Sequence, residues 1–349
     1  MAVSRIPGNV VCQISIEVKR ADDRPVFTFI IACIGAQRRR TADHVPVSAH
    51  KEMALPSEIV KSGCKINIYL KILGKRSDGY HELDTLFWPL PDPHDELEIT
   101  WAGKGITVLC GRDGIDPNDN TLTRAYALYT SASGHAPGCI VHLAKGVPSG
   151  AGLGGGSADA AALLLKLNEY APRPLDEEAM LAVASGVGAD VPFFLRAEPC
   201  FAEGTGERLK PFRGHARKGF LVIVCPDVKV STAKAYSLWD AAQKNLTDLC
   251  NVHKRDFPDS GKPLRYENDF EPVIFSEYPL LADIKKKLLD FSAYSALMTG
   301  SGSALYAVFF DGKSAQRAKD VLSGCKNLRV FGVYASVFPV SVDSDSVGV

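Results

Sequence analysis

The sequence predicts a globular protein of mixed helix and strand content, folded as one large or two moderate domains. A chain of 349 residues has room for either arrangement, and 46% hydrophobic with 23% charged residues is typical of packed domains. Apolar residues alternate with polar ones at Ile66, Ile68 and Leu70, which predicts a strand. Residues 280–291 carry apolar side chains at helical spacing, which predicts an amphipathic helix.

Composition argues against several functional classes. Lysine plus arginine equals aspartate plus glutamate, 40 each, so net charge gives no sign of nucleic acid or an anionic membrane as partner. The nine cysteines are odd in number and lack C-x-x-C spacing, so we expect buried thiols in a reducing compartment. No apolar run approaches the roughly 18 residues that a membrane helix needs. We therefore expect a cytoplasmic protein with no membrane or nucleic-acid partner.

The chain is organised around a glycine-rich stretch, Pro148–Asn168, in which five of the first nine residues are glycine. Glycine lacks a Cβ, so a polyphosphate can approach its backbone N–H groups. The apolar run that follows predicts a helix starting near Ser157, whose positive end would point at the same anion. A flexible linker is the alternative, but an apolar helix does not normally follow a linker at once. The stretch therefore predicts a phosphate-binding loop.

Two common phosphate-binding patterns do not account for this loop. No lysine precedes Ser157, so the P-loop pattern fails. Gly150, Gly152 and Gly155 fit G-x-G-x-x-G, but a glycine and a proline interrupt the preceding segment, residues 142–148. A dinucleotide-dependent oxidoreductase is therefore a weak alternative.

Three further segments contain chemically useful residues that also have ordinary explanations. Lys65 and Asn67 share one face of the first predicted strand, a pattern that usually marks a solvated face. Asp190 precedes an apolar segment, where it could be a proton acceptor or a simple helix cap. Residues 299–302, Thr-Gly-Ser-Gly, indicate a tight loop between two strands.

Taken together and in this order, the segments resemble the GHMP kinases (galacto-, homoserine, mevalonate and phosphomevalonate kinases). The resemblance rests on PSGAGLGGGSADAA, on GADVPFF around Asp190, and on residues 299–302, and it runs from Gly63 to about Val337. One departure is Gly63-Cys64-Lys65, where many members have Pro-Ala-Lys; the lysine is kept. The resemblance implies an α+β fold in two domains with the active site between them.

The domain boundaries expected from this resemblance are an N-terminal α+β ATP-binding domain over 53–213 and a ferredoxin-like α/β C-terminal domain over 214–340. Residues 341–349 would be a tail. Residues 1–52 are expected to be an extension that is disordered or precedes the native start at Met53, because a complete domain begins just after that methionine. The alternative is a targeting segment such as a plastid transit peptide, which acidic residues such as Glu17, Asp22, Asp23 and Asp43 disfavour.

The resemblance also implies the parts of a phosphoryl-transfer site, which works by positioning and charge stabilisation. Asp190 would take the proton of the acceptor hydroxyl. Lys65 would stand beside it, stabilise the carboxylate and offset charge on the transferring group. ATP would be held with Mg²⁺, and Ser157 would contact a phosphate or the metal. The expected ATP loop is Pro148, Ser149, Gly150, Ala151, Gly152, Leu153, Gly154, Gly155, Gly156, Ser157 and Ala158. The expected supporting loop is Thr299, Gly300, Ser301 and Gly302.

The acceptor is indicated by GKRSDGYHELDTLF, residues 74–87. Family members that phosphorylate the 2-hydroxyl of 4-diphosphocytidyl-2-C-methyl-D-erythritol carry a closely similar GxRxDGYHxLxTLF and hold a cytosine between aromatic rings and against a histidine. Tyr80 and His81 match that motif, and Tyr236 fits the second ring less securely. Asn67 is expected to contact the acceptor or its diphosphate. The ordinary alternatives are a core aromatic for Tyr236 and a turn residue for His81.

The implied function is ATP-dependent phosphorylation of that acceptor, a step of the non-mevalonate route to isoprenoid precursors, by a monomer or homodimer. One alternative is another small-molecule kinase of the family, acting on homoserine or mevalonate. A second is a non-catalytic binding protein of the same fold, which should have lost Lys65, Asp190 or the glycine loop. All three are present in this chain.

Overall fold

The computed structural model describes residues 5–6, 10–21, 24–34, 57–111, 115–244 and 265–339. The chain divides into two compact units, residues 1–54 and residues 55–349. In the first unit, three strands pair antiparallel in the order β1-β2-β3. The predicted tail, 341–349, lies outside the described residues. The start at Met53 stays a prediction, as does the domain boundary between residues 213 and 214.

The strands are β1 Arg5–Ile6, β2 Val10–Ala21, β3 Arg24–Ile34, β4 Ser57–Lys75, β5 His81–Trp101, β6 Ile106–Cys110, β7 Cys139–Ala144, β8 Cys200–Gly204, β9 Arg208–Pro211, β10 Ala216–Pro226, β11 Ser295–Met298, β12 Leu305–Phe309 and β13 Leu328–Pro339. The helices are α1 Thr121–Ser133, α2 Gly155–Glu169, α3 Glu177–Val187, α4 Val191–Arg196, α5 Thr232–Lys244, α6 Glu271–Glu277, α7 Pro279–Asp290 and α8 Gly312–Ser323. None of the helices in these described parts of the chain is long and apolar enough to cross a membrane.

The sheet of the N-terminal half has the order β6-β7-β5-β8-β9, with β4 also paired to β5. It is mostly antiparallel, but β6 runs parallel to β7. A short turn joins β5 to β6 and reverses the chain. The two strands are not neighbours in the sheet, however, because β7 lies between them. Helices α1 to α4 contribute to one core with this sheet, which includes Leu97, Val141 and Leu163.

The second sheet is antiparallel with the order β11-β12-β10-β13. Helices α5 to α8 supply the apolar partners of this sheet, among them Ile284 on the predicted amphipathic helix α7. A third cluster joins the two halves, because Ile66 of β4 and Tyr306 of β12 are both fully buried in it. Strand β4 therefore sits against the second sheet, which places its polar residues at the junction of the halves.

Side-chain caps define the starts of two helices. The side chain of Asn120 accepts hydrogen bonds from the N–H groups of Leu122 and Thr123 and caps α1. The carboxylate of Asp176 accepts from Ala179 N–H and caps α3. Both caps satisfy N–H groups that a helix leaves unpaired in its first turn.

Candidate active site

The segments that the sequence analysis identified as candidate site residues line one cleft. Its volume is about 1560 Å³, and its wall includes Lys65, the glycine loop, Asp190 and Gly300. The cleft is large enough for a nucleotide together with a second small molecule, since ligand sites commonly enclose about 300–1,000 Å³ each.

The glycine loop bends through three left-handed residues before the helix begins. Gly150, Gly152 and Gly154 have φ values of +70°, +79° and +73°, a region that side-chain-bearing residues rarely adopt. Helix α2 then starts at Gly155, two residues earlier than predicted. Every residue from Pro148 to Ser157 lines the cleft, whereas Ala158 is buried in the core instead. The N-terminal end of α2 therefore faces the cleft, where it can stabilise an anion.

The loop at residues 299–302 packs directly on the glycine loop. A Cβ on Gly152 would lie 2.1 Å from the carbonyl oxygen of Thr299, so only glycine fits there. The Thr299 hydroxyl, which is fully buried, donates to the Gly152 carbonyl at 3.4 Å. The N–H of Ala304 donates to the Ala151 carbonyl at 3.1 Å. Gly300, Ser301 and Gly302 line the cleft, and Thr299 lies beneath them.

Lys65 and Asn67 are buried, so the solvated-face interpretation of this strand is wrong. Their exposed fractions are 4% and 1%. The Lys65 ammonium donates to Asn67 Oδ1 at 2.7 Å and lies 4.8 Å from the centre of the Phe87 ring. The amide of Asn67 donates to the Thr85 hydroxyl at 2.8 Å. A buried ammonium needs such partners to offset its lost hydration. These contacts hold the positive charge of Lys65 in one position.

Asp190 faces the lysine rather than a helix end. Its Oδ2 is 3.6 Å from Lys65 Nζ, and its side chain is 31% exposed to the cleft. Although Asp190 is the residue before α4, its carboxylate makes no capping hydrogen bond. The interpretation of Asp190 as a helix cap is therefore not supported, because the capping hydrogen bond is absent. The carboxylate has one cationic neighbour and an open side, an arrangement that suits a group accepting a proton from a bound hydroxyl.

An aromatic cluster surrounds His81, which lines the same cleft. The exposed ring of Tyr80 lines the cleft beside it. The ring of Tyr236 stacks on the imidazole with centroids 4.3 Å apart and planes 14° apart, and Trp239 meets it edge-on at 5.6 Å. His81 Nε2 lies 2.6 Å from Oδ1 of Asp240. Tyr80, His81 and Tyr236 thus line one cleft, and the Tyr236 ring lies on the imidazole of His81.

Sequence reasoning missed Asp240. The available signal was its position four residues after Tyr236, a spacing that places both side chains on one face of helix α5. Nothing in the sequence indicates, however, that this face meets His81.

Sequence reasoning also missed a buried ionic network beneath the glycine loop. Lys145 donates to carboxylates of Asp95 and Asp159, the second at 2.9 Å, and Ser62 donates to Asp159 at 2.5 Å. Asp95 also accepts the N–H groups of residues 146 and 147, at 2.7 and 2.8 Å. Burial, with a further contribution from Asp95, raises the pKa of Asp159 to about 6 although Lys145 opposes the change. The network ties the segment entering the loop to the first turns of α2.

Comparisons with known proteins agree with this architecture. The model of the GHMP kinases N terminal domain matches residues 120–198, and that of the GHMP kinases C terminal domain matches residues 246–327. A 4-diphosphocytidyl-2-C-methyl-D-erythritol kinase from Nitratidesulfovibrio vulgaris is 46% identical over 281 residues, covering 78% of this chain and 96% of the relative. A protein of the same name from Lawsonia intracellularis is 41% identical over 277 residues, covering 74% and 91%.

Solved structures show the same likeness. A crystal structure of 4-(cytidine 5'-diphospho)-2C-methyl-D-erythritol kinase superposes with a TM-score of 0.66 at 31% identity, covering 80% of this chain and 99% of the other. Homoserine kinase from Cytophaga hutchinsonii superposes with a TM-score of 0.58 at 20% identity, covering 85% and 98%, which speaks for the fold alone. With matching family models, close relatives over most of its length and this arrangement of loops around one cleft, the chain belongs to the GHMP kinase family.

Proposed function

We propose that this protein transfers the γ-phosphoryl group of ATP to the 2-hydroxyl of 4-diphosphocytidyl-2-C-methyl-D-erythritol, a step in making isoprenoid precursors. The observation that carries the proposal is the Lys65–Asp190 pair, 3.6 Å apart, in the same cleft as the glycine loop and the Tyr80–His81 cluster. The names of the close relatives support the choice of acceptor.

The chemistry follows from these positions. The glycine loop and the N-terminal end of α2 hold the ATP phosphates through backbone N–H groups. Asp190 accepts the proton of the 2-hydroxyl as its oxygen attacks the γ-phosphorus. The Lys65 ammonium, held by Asn67, offsets the negative charge on the carboxylate and on the transferring group. The released ADP and the phosphorylated acceptor then leave by the open cleft.

Mg²⁺ fits this site as a companion of ATP rather than as a metal held by the protein alone. Among the described residues, no group of three or more acidic, histidine or cysteine side chains could hold a metal ion. Magnesium in kinases is commonly bound by substrate phosphates with one or two protein oxygens. The Ser157 hydroxyl, in the first turn of α2 and on the cleft wall, is the oxygen that we propose for it. When bound, the ion would neutralise phosphate charge.

We also propose that the protein works in a reducing compartment, the cytoplasm. Burial raises the pKa of the Cys139 thiol to about 11 and that of Cys225 to about 12. These thiols therefore stay protonated at neutral pH, as unreactive core residues do.

The proposed function is tested by ATP turnover of the purified protein with the cytidyl acceptor, beside homoserine, mevalonate and galactose. Stimulation by the cytidyl acceptor alone is the expected result. Stimulation by another acceptor would keep the Lys65–Asp190 chemistry and discard our assignment of Tyr80 and His81. Binding of ATP without any phosphorylated product would favour the binding-protein alternative.

A Tyr80→Ala variant tests the acceptor end of the cleft. Because the ring is 66% exposed, its removal should cost little stability. Loss of stacking on a flat base should raise KM for the cytidyl acceptor about two- to tenfold, from about 0.5–1.5 kcal/mol of aromatic contact, and leave KM for ATP unchanged. An equal rise in both constants would mean that Tyr80 shapes the whole cleft instead.

A further inference from the structure

The Asp240 carboxylate fixes which ring nitrogen of His81 carries the proton. Asp240 Oδ1 lies 2.6 Å from His81 Nε2, and Lys75 donates to the other oxygen, Oδ2, at 2.6 Å. Partial burial raises the pKa of Asp240, but the hydrogen bonds from Lys75 and His81 outweigh it and hold the pKa below its usual value. An ionised carboxylate only accepts hydrogen bonds. His81 Nε2 must therefore carry the proton, which leaves Nδ1 of the neutral ring as an acceptor.

The imidazole is held in one plane and keeps contact with the cleft. Tyr236 covers one face and Trp239 abuts it edge-on, and only 6% of His81 is exposed. Among the described residues, no buried side-chain nitrogen or oxygen lacks a hydrogen-bond partner. Nδ1, for which the described contacts show no protein partner, therefore reaches the cleft, whose wall includes His81. The protein thus presents one fixed acceptor atom on the cleft wall that also includes Tyr80.

We infer that Asp240 is a positioning residue that makes the enzyme select a cytosine base over a uracil base, by holding His81 with an unprotonated Nδ1 toward the exocyclic 4-position. Cytosine carries an amino group there, which donates to Nδ1. Uracil carries a carbonyl oxygen, which would place two acceptors against each other. This inference rests on the proposed function, because it concerns the base of the proposed acceptor.

Such a site should discriminate strongly. Sites built around a specific polar partner reject analogues that leave it unpaired far better than apolar pockets reject a change of size. We expect kcat/KM for the cytidyl acceptor to exceed that for its uridyl analogue, 4-(uridine 5'-diphospho)-2-C-methyl-D-erythritol, by about 10²-fold or more.

Asp240→Asn tests the role of the carboxylate. Lys75 offers only donors, so it pairs with the amide oxygen and turns the amide nitrogen toward His81. Nε2 must then accept, and the ring proton moves to Nδ1. We expect the cytidyl-to-uridyl ratio of kcat/KM to fall about tenfold or more. In Lys75→Met/Asp240→Asn the amide can turn its oxygen to Nε2, so the ratio should recover toward that of the wild type.

A second measurement reads the proton position without any turnover. In nitrogen-15 NMR spectra of the ligand-free protein at alkaline pH, protonated and unprotonated ring nitrogens have distinct shifts. The His81 signals are assigned by their loss in His81→Gln. We expect the proton on Nε2 in the wild type and on Nδ1 in Asp240→Asn. Asp283→Asn, the same change at an exposed helix position, should alter neither the spectrum nor the ratio.

The two measurements separate this inference from the proposed function. If no cytidyl acceptor is phosphorylated, the proposed function fails. The NMR result still tests the Asp240–His81 pair in that case. Selectivity is then measured by the binding of cytidine and uridine 5'-diphosphates. A wild-type ring protonated on Nδ1 would overturn the inference. So would an Asp240→Asn variant whose ring shifts its proton while its selectivity stays unchanged.

Discussion

Asp190→Asn is expected to lower kcat by about 10²–10⁴-fold, the usual contribution of a positioned general base. Asparagine keeps the size of the side chain but cannot take a proton from the acceptor hydroxyl. Because the wild-type carboxylate makes no capping hydrogen bond and is 31% exposed, the change should leave the fold intact. ATP affinity, measured by calorimetry, should stay within a few-fold of the wild type, since the glycine loop is untouched.

Asp176→Asn is the matched control for this prediction. Asp176 caps the neighbouring helix α3 through a hydrogen bond to Ala179 N–H, and asparagine caps helices about as well as aspartate. The control should keep wild-type turnover. An Asp190→Asn variant that also keeps wild-type turnover would remove Asp190 from the chemistry, and a loss of ATP binding in parallel with kcat would indicate collapse of the cleft.

Lys145→Met should have the largest effect on stability, lowering the free energy of unfolding by about 3–5 kcal/mol, as when one partner of a buried ion pair is removed. The ammonium lies between Asp95 and Asp159, whose side chains are 0% and 2% exposed. Methionine fills similar space but leaves two carboxylates facing each other without a cation. Urea unfolding followed by circular dichroism measures the loss.

The loss should depend on pH in a definite direction. The pKa of Asp159 in the folded protein is about 6, above its ordinary value of 3.8, so the folded state binds more protons between these values. Its contribution is therefore most favourable below about pH 3.8 and is lost as pH rises through about 6. Removal of Lys145 raises this pKa further. Lowering the pH from 8 to 5.5 should thus restore part of the stability that the variant lost.

Lys166→Met supplies the comparison. Lys166 also joins two carboxylates, Glu58 and Glu169, but at the surface. Surface ion pairs contribute about 0–1 kcal/mol, so this variant should lose no more than that and show little change with pH. Equal losses in the two variants would contradict the importance that we give to the burial of the Lys145 network.

Features that depend only on neighbouring residues can be predicted from the sequence. Asn120 and Asp176 cap their helices, because a cap needs only the N–H groups two or three residues later. The glycine loop and its helix were predicted as one unit, since positive φ and a helix end are local properties. The family resemblance and its fold class also came from the sequence, and the comparisons confirm them.

The surroundings of the polar residues, in contrast, depend on the tertiary fold. Strand periodicity alone favours a solvated face for Asn67. The residue is buried because Thr299, 232 residues away in the chain, packs against it. His81 meets Asp240 across 159 residues, and Asp95 meets Lys145 across 50. Such contacts depend on how the two sheets and the helices are arranged. Alternation or helical spacing in the sequence indicates only which side of a strand or helix a residue occupies. Burial, and with it the charge balance of the site, is therefore a property of the assembled fold.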